Sequence, residues 1–551
     1  MLVLSLLTFS FPGLAQIANC KLLVDSSVTL INGHDNALIV KPGDTICLKK
    51  GTKSFLLLSY LHGKKDAPIV IQNLDGLVSI HGGTNYGVKF DSCSYVKFSG
   101  NKITTLQYGI KIDQFVGAGL SVDGLSTDIE IEGLEIGNAG LAGIFAKTEP
   151  NCLFTSTRDK FTLRNLSIHN CYIHNTGMEG MYIGSSKYSG QTINCGGKDT
   201  TVLPHLLKGV QVYRNLVVET GWDGIQVSSA DSGVSVYENV VLFDSKLAVT
   251  YQMSGILVGG GTNAKVYNNI IKDGLGDGID VTSFGNQYIF NNLIVNPGKA
   301  YKPTQNVTPY LKHGIYIGPD FSSSANSYMI LFNTIINPKS CLIRYSDNQS
   351  MHNVIANNIG VNPGSYSTIG EQAYVNFSSP AIDVLILNNI FTMDINYLNF
   401  IDYGQGKFDL NPKSPAVNTG APVDGLNVPY DLINRTRPFA GYYDIGAYEC
   451  HDSSLLFAPE YESTTNLQLT ISPNPSSSQI SVSYILNSCS EVKIWLQDNQ
   501  GRMVVNRNMT AQQPGKHQIT FDRGSLKPGF YSLIFQANQL TVFKKLIILN
   551  I

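Results

Sequence analysis

Through the middle of this chain, one short apolar run after another ends in asparagine. The runs are LSIHN (ending at Asn170), VQVYRN (Asn215), VSVYEN (Asn239), AKVYNN (Asn269), YIFNN (Asn292), MILFN (Asn333), NVIANN (Asn358) and LILNN (Asn389). Successive intervals are 45, 24, 30, 23, 41, 25 and 31 residues. The shortest define a unit of about 23 residues, and the longer ones are that unit plus an insertion. Such a return marks a solenoid, in which each unit buries its apolar face only against its neighbours. The runs are β-branched, broken by Gly and Asn, and carry no helical period. The leucine spacing of a leucine-rich repeat is absent. Each unit therefore reads as one coil of a parallel β-helix. Asparagine tolerates unusual turn backbone, and stacked amides bond from coil to coil. All eight asparagines are expected in one line.

A second repeat carries chemistry. NTGMEGMYIG (175–184) and ETGWDGIQVS (219–228) are nearly the same phrase. Aligned on Gly-Ile-x-Val, the coils read YGIKID (108–113), AGIFAK (142–147), EGMYIG (179–184), DGIQVS (223–228), SGILVG (254–259), DGIDVT (277–282) and HGIYIG (313–318). Side chains alternate along a strand and neighbouring strands lie ~4.8 Å apart, so positions become columns. The column before glycine is Tyr108, Ala142, Glu179, Asp223, Ser254, Asp277 and His313. The outward column after it is Lys111, Phe145, Tyr182, Gln226, Leu257, Asp280 and Tyr316. A third column holds Gly184, Gly259 and Gly318, an open floor for a ligand.

Aromatic faces, amides and carboxylates in this arrangement suit an extended sugar chain. Tyr182, Trp222, Gln226, Asp280 and Tyr316 are the candidate substrate-binding residues. Glu179 and Asp223 on adjacent coils are expected roughly 5 Å apart, the spacing of a retaining glycosidase pair. Asp223 and Asp277, two coils apart, are expected at about 9–10 Å, near the upper end for an inverting pair. Like charges this close raise one carboxyl's pKa, as a general acid requires. The competing reading is that Asp-Gly and Glu-Gly are ordinary turn dipeptides. Two long insertions, 148–164 and 185–209, flank the pair, where binding sites commonly sit. His205 in the second is a candidate acid or base, or a cap on its own loop's backbone. Lys147 is a candidate lyase base, or a partner for Glu179.

KPGDTICLKKG (41–51) with APIVIQN (67–73), and SPAVNTG (414–420) with RPFAGYYDIGAYE (437–449), resemble the opening and closing segments of the pectate-lyase-like superfamily. The resemblance implies an all-β, right-handed parallel β-helix over residues 20–450. It leaves the activity open, since the superfamily holds lyases, hydrolases, epimerases and non-enzymes. The adjacent aspartates of a polygalacturonase are matched only loosely by GLGDGID (274–280), and its Gly-His-Gly and Arg-x-Lys are absent.

After Cys450 the texture changes. A polar linker (451–466) leads to alternating strands with Asn-Gln-Gly and Pro-Gly turns, a small antiparallel β-sandwich over 467–551. Pro473-Asn474-Pro475, the segment Lys527-Pro528-Gly529-Phe530-Tyr531 and Lys544-Lys545 resemble the C-terminal sorting domain of type IX secretion. That implies a Gram-negative source, the type IX machinery as a partner, and a secreted or outer-surface location. The apolar segment 1–15 ends in Gly13-Leu14-Ala15 and reads as a signal peptide.

Export permits disulfides, and of the nine cysteines Cys20 with Cys47 and Cys152 with Cys195 are the candidate pairs. Cys93 and Cys171 are expected buried. No spacing fits a zinc site. No cofactor is expected, with calcium among the acids left open. Lys+Arg total 39 against Asp+Glu 41, so nothing points to nucleic acid. The column Tyr213, Tyr237, Tyr267, Phe290 reads as packing. Asp431, Arg435, Arg437, Asp444 and Glu449 read as a salt-bridged cap over the last coil. The functional expectation is a monomeric protein acting on extracellular polysaccharide as glycosidase or lyase. The alternative is a non-catalytic glycan binder or adhesin.

Overall fold

The computed structural model describes residues 20–452 and 469–548, apart from 37, 102–105, 283–284, 303–310, 320–322, 365–373, 424–427, 440, 475, 477, 499–502, 525, 527–528 and 539. The signal peptide expected at 1–15, most of the linker expected at 451–466, and Pro475, Lys527 and Pro528 of the sorting pattern lie outside the described residues.

Three long parallel sheets, of 13, 12 and 12 strands, wind around one core from Cys20–Val24 to Ile390–Thr392. Each strand pairs with its counterpart one coil on, so this is a parallel β-helix. The alternation in the sequence does the work of burial: in Ile225–Val227 and Ile315–Ile317 the two flanking residues are 0% exposed and point inward. These inward side chains stack into one continuous apolar column. Long insertions add structure outside it. Thr162–Arg164, Leu206–Lys208 and Ala230–Ser232 form a local fourth sheet, and Gln191–Cys195 with Lys198–Val202 form a hairpin. Both expected disulfides are present, Cys20–Cys47 tying the first two coils and Cys152–Cys195 joining the two insertions. Cys93 and Cys171 are buried thiols.

The asparagine line is real but holds seven members rather than eight. From Asn215 to Asn358, each amide Nδ2 donates to the next coil's Oδ1 at 2.9–3.0 Å. That same oxygen accepts the preceding coil's backbone N–H, as Asn269 Oδ1 accepts from Asn239 N at 3.0 Å. Asn170 is not in the line. It is exposed at φ 53°, the corner position that Arg214 and Glu238 hold on the next coils, and Cys171 takes the ladder place, donating its N–H to Asn215 Oδ1. A second, less regular amide row follows another corner, from Asn362 through Asn337 and Asn296 to Asp273.

The closing segment corrects a further expectation. Its ionic cluster forms as expected: Arg437 pairs with Glu449 at 2.9 Å, both fully buried, and Arg435 with Asp431 at 2.8 Å. It lies along the flank of the solenoid, however. Arg437 Nη1 donates to Asn291 Oδ1, Asn357 Nδ2 to Ala421 O, and Asn388 Nδ2 to Thr419 O. Those asparagines are corner residues of positive φ, so the corner that turns the chain also anchors its return.

Residues beyond the linker form two antiparallel sheets, one of three strands from Thr470–Ser472 and one of four from Ser490–Asp498, around a shared apolar core. Among the described residues no helix is long and apolar enough to cross a membrane.

Candidate functional site

The repeated phrase sits on one sheet. Strands Ile144–Ala146, Met181–Ile183, Ile225–Val227, Ser254–Val258, Asp277–Val281 and Ile315–Ile317 pair in the register Phe145, Tyr182, Gln226, Leu257, Asp280, Tyr316. Six of the seven aligned phrases thus stack as read. The first phrase does not belong. Ile110–Phe115 lies in another sheet, where Lys111 pairs with Glu135 at 2.7 Å, and the true predecessor of Phe145 is Ser121. That other sheet also has strands that follow a glycine, Ile110–Phe115 after Gly109 and Leu134–Ala139 after Gly133, so the pattern alone does not say which side it belongs to.

The two halves of the Glu-Gly and Asp-Gly dipeptides have different causes. A Cβ on Gly180 would stand 2.5 Å from Gly224 O, and one on Gly224 would stand 2.5 Å from Gly255 O. The glycines are there because coils approach too closely for a side chain. Nothing in that packing asks for an acid at the preceding position, where Ala142 and Ser254 also stand.

The acids are not on an open surface, as the sequence suggested. Glu179, Asp223 and Asp277 are at most 4% exposed. Gln252 lies against the first two, and with its amide turned so that the nitrogen faces the acids it donates to Glu179 Oε1 and Asp223 Oδ2, each at 3.2 Å. The other Asp223 oxygen accepts from Ser254 Oγ at 2.7 Å, one coil on. Burial pushes the Glu179 carboxyl up to about 7. Burial also holds Asp223 well above the usual carboxylate range, with the charges of Glu179, Asp280 and Asp244 adding to it. Asp244, buried at the adjoining corner, is pushed up to about 6 by the same cause, and its Oδ2 has no partner among the described residues.

Asp277 is held differently. Lys312 Nζ lies 2.8 Å from its Oδ2, and the His313 N–H donates to its Oδ1 at 2.6 Å. It is a neutralised anchor, unlike Asp223. Asp280, three residues along the same strand, is raised by burial and by the charge of Asp277. Burial pushes the His313 imidazole down to about 4. Tyr316 flanks Asp280 in the outward column.

The remaining candidates fall on both sides of their alternatives. Lys147 pairs with Glu149 rather than Glu179, and its ammonium sits over the rings of Tyr182 (4.5 Å) and Phe145 (5.0 Å). Tyr182 stacks on Phe145 and donates its hydroxyl to Ser186 Oγ at 2.8 Å. His205 is a loop anchor: Nε2 accepts the Thr148 N–H at 3.0 Å and Nδ1 faces Leu206 O at 3.1 Å, leaving neither nitrogen over the acids. Burial lowers its pKa. Trp222 is half-buried, with its backbone clamped by Met178 O and Ser245 N.

Gln226 is 1% exposed and donates to Ser228 Oγ at 3.3 Å. Both line a cleft of about 410 Å3 beside the acids, walled by Tyr188 from one insertion and Tyr251 and Gln252 from another, and floored by Gly259 and Gly260. Asp244, Tyr251 and Gln252 were missed as site residues. The signal was the 30-residue interval from Asn239 to Asn269, whose surplus over 23 is this strap.

The aromatic column is packing, as expected. Tyr213, Tyr237, Tyr267 and Phe290 stack 4.8–4.9 Å apart with interplanar angles of 8° or less, so their faces are covered by one another. Among the described residues, Glu130, Glu132 and His169 form the one group of ligating side chains close enough for a metal ion. Lys97 already occupies it, 2.7 Å from Glu130 and 2.8 Å from Glu132.

Residues 470–549 match the family described as the secretion system C-terminal sorting domain. No match is found among curated proteins. The solved structures it resembles include the periplasmic alginate epimerase AlgG (12% identity, 66% of this chain and 84% of that one, TM-score 0.35). They also include the complex of XylC with xylose (10%, 91% and 99%, TM-score 0.36) and the Siphovirus 9NA tailspike receptor binding domain (10%, 92% and 74%, TM-score 0.20). At these scores none bears on what this chain does, and the β-helix is read from its own strand pairing. The chain is a parallel β-helix protein with a C-terminal type IX secretion sorting domain, delivered outside a Gram-negative cell or onto its outer surface.

Proposed function

We propose that this protein hydrolyses an extracellular polysaccharide, with Glu179 and Asp223 as the working carboxyl pair. The observation that supports this most is the single amide of Gln252 spanning both groups. A nitrogen 3.2 Å from each oxygen, with its two hydrogens diverging, sets those oxygens roughly 5–6 Å apart, against ~5–5.5 Å in retaining glycosidases. A carboxyl raised to about 7 stays partly protonated at neutral pH, as a general acid must. Asp280 and Tyr316 then serve as polar neighbours of the bound sugar, and Asp277 with Lys312 ties together the two adjacent strands that carry them. In this reading substrate displaces Gln252, taking its place between the two carboxyls. A lyase is less well supported, because Lys147 is engaged with Glu149.

The test is release of reducing ends from a glycan panel, with and without chelator, by wild type and Asp223→Asn. Hydrolysis falling about 10²–10⁴-fold in the variant supports the reading. Full activity in a stably folded Asp223→Asn protein ends it. The second reading, a glycan binder, is favoured by the near-complete burial of both acids beneath Gln252. It predicts binding without turnover in either protein.

A further inference from the structure

The cleft beside Gln252 has a chemistry distinct from that of the acids behind it. Its wall at Tyr188 is rigid. Arg158 lies 4.0 Å over that ring, and Gly261 closes on it so tightly that a Cβ there would stand 2.0 Å from Cδ2. The opposite wall, Tyr251, is 84% exposed on a backbone of φ 65°. Its ring packs on little of the protein, which leaves a face open to a ligand in the cleft. Between the walls lie the buried amide and hydroxyl of Gln226 and Ser228, and the apolar side chain of Leu257.

Charge decides what fits. Among the described residues lining the cleft the one ionic group is Lys187, which is exposed. Arg158 is engaged by Tyr188, whose carbonyl it also bonds. Through Gln252 the cleft adjoins Glu179 and Asp223, and Asp223 feels Asp244 and Asp280 in turn. A uronate needs a paired cationic fork for its carboxylate. Here it would give up its water for uncharged donors and one mobile lysine, an exchange that disfavours the anion. An uncharged sugar needs only a ring face and amide and hydroxyl partners, all of which are present.

We infer that this cleft is a subsite for an uncharged hexose unit, seated against Tyr251 with its hydroxyls on Gln226, Ser228 and Gln252. Its volume of about 410 Å3 lies within the range of small-ligand sites. The inference rests on the glycan reading above but not on turnover.

Calorimetric titration of the full chain tests it, using gluco- and manno-oligosaccharides and, at the same length, oligogalacturonides. Neutral oligosaccharides should bind at least tenfold tighter than the uronates, and Tyr251→Ala should weaken them about tenfold. Tyr251 is exposed, so the variant folds. Uronate binding equal to or tighter than neutral, and lost in Lys187→Ala, overturns the inference. So does neutral binding untouched by Tyr251→Ala, or no saturable binding of any probe. Neutral binding at Tyr251 with no cleavage of any glycan keeps the subsite and ends the hydrolase reading. Cleavage of a uronan that needs Asp223 but not Tyr251 does the reverse.

Discussion

Two vertical columns run along this solenoid, one of asparagines and one of mixed residues, and they solve the same problem in opposite ways. Each must satisfy buried polar groups repeated at every coil. In the asparagine column each member between the two ends donates to one neighbouring asparagine and accepts from the other, so a single residue type serves the whole line. The other column reads Ala142, Glu179, Asp223, Ser254, Asp277, His313, and no two of its polar members are satisfied alike. Asp277 takes a lysine, Asp223 a serine and an amide, and Glu179 the same amide. Repetition that closes on itself stabilises a fold. A column that needs a different partner at each coil, and leaves Glu179 and Asp223 shifted, carries a local electrostatic cost that the fold does not require.

Substitutions in the two columns should therefore separate function from stability. The largest effect expected is on turnover. Glu179→Gln should lower hydrolysis about 10²–10⁴-fold without lowering the thermal midpoint, read by reducing-end release and by calorimetry. Asn269→Ala should do the opposite. It strips an acceptor from Asn239 N and Nδ2 and a donor from Val236 O and Asn292 Oδ1. With several buried groups unpaired, a loss of about 3–5 kcal/mol is expected in denaturant titration. A loss under 1 kcal/mol there, or a larger one in Glu179→Gln, would dissolve the contrast between the columns.

Proton linkage gives a third comparison. Glu179 has an ordinary value of 4.5 and a folded value of about 7. Between these the native state holds a proton that the unfolded chain has released, so stability falls as pH rises. Its contribution is fully present below pH 4.5 and lost by about pH 7, on the order of 3 kcal/mol. Asp223, shifted in the same direction, adds to the slope. Denaturant midpoints measured across this window should decline in wild type and decline less in Glu179→Gln. The asparagine column does not titrate, so the slope of Asn269→Ala should match wild type. The smallest effect is expected from the aromatic column: Tyr237→Ala removes two stacked contacts and should cost about 1–2 kcal/mol without touching activity.

What could be read ahead of the structure follows from how local each cause is. The asparagine period was legible because one residue type must recur at one corner. It failed only at Asn170, where an asparagine stands one place early at a corner of positive φ and a cysteine fills the ladder position. The second amide row was not legible, because Asp273 and three asparagines share it at a corner where Phe243 and Glu219 also serve. Both disulfides could be named because insertions on neighbouring coils, or the first two coils, bring their cysteines together. The register of Glu179, Asp223 and Asp277 was legible too, because stacking converts a repeat in sequence into a column in space.

By itself, then, the sequence determined the solenoid, its core and which acids share a column, since all three rest on periods of two and about 23 residues. It also determined the export signal, whose pattern stands in the last 80 or so residues. Only the tertiary structure decided that these acids are buried, that Gln252 joins two of them while Lys312 neutralises the third, and that His205 and Lys147 are engaged elsewhere. The physical reason is that coils repeat and insertions do not. A side chain on a coil inherits its place from its neighbours above and below, whereas one on a strap is placed by where that strap comes to rest on the solenoid.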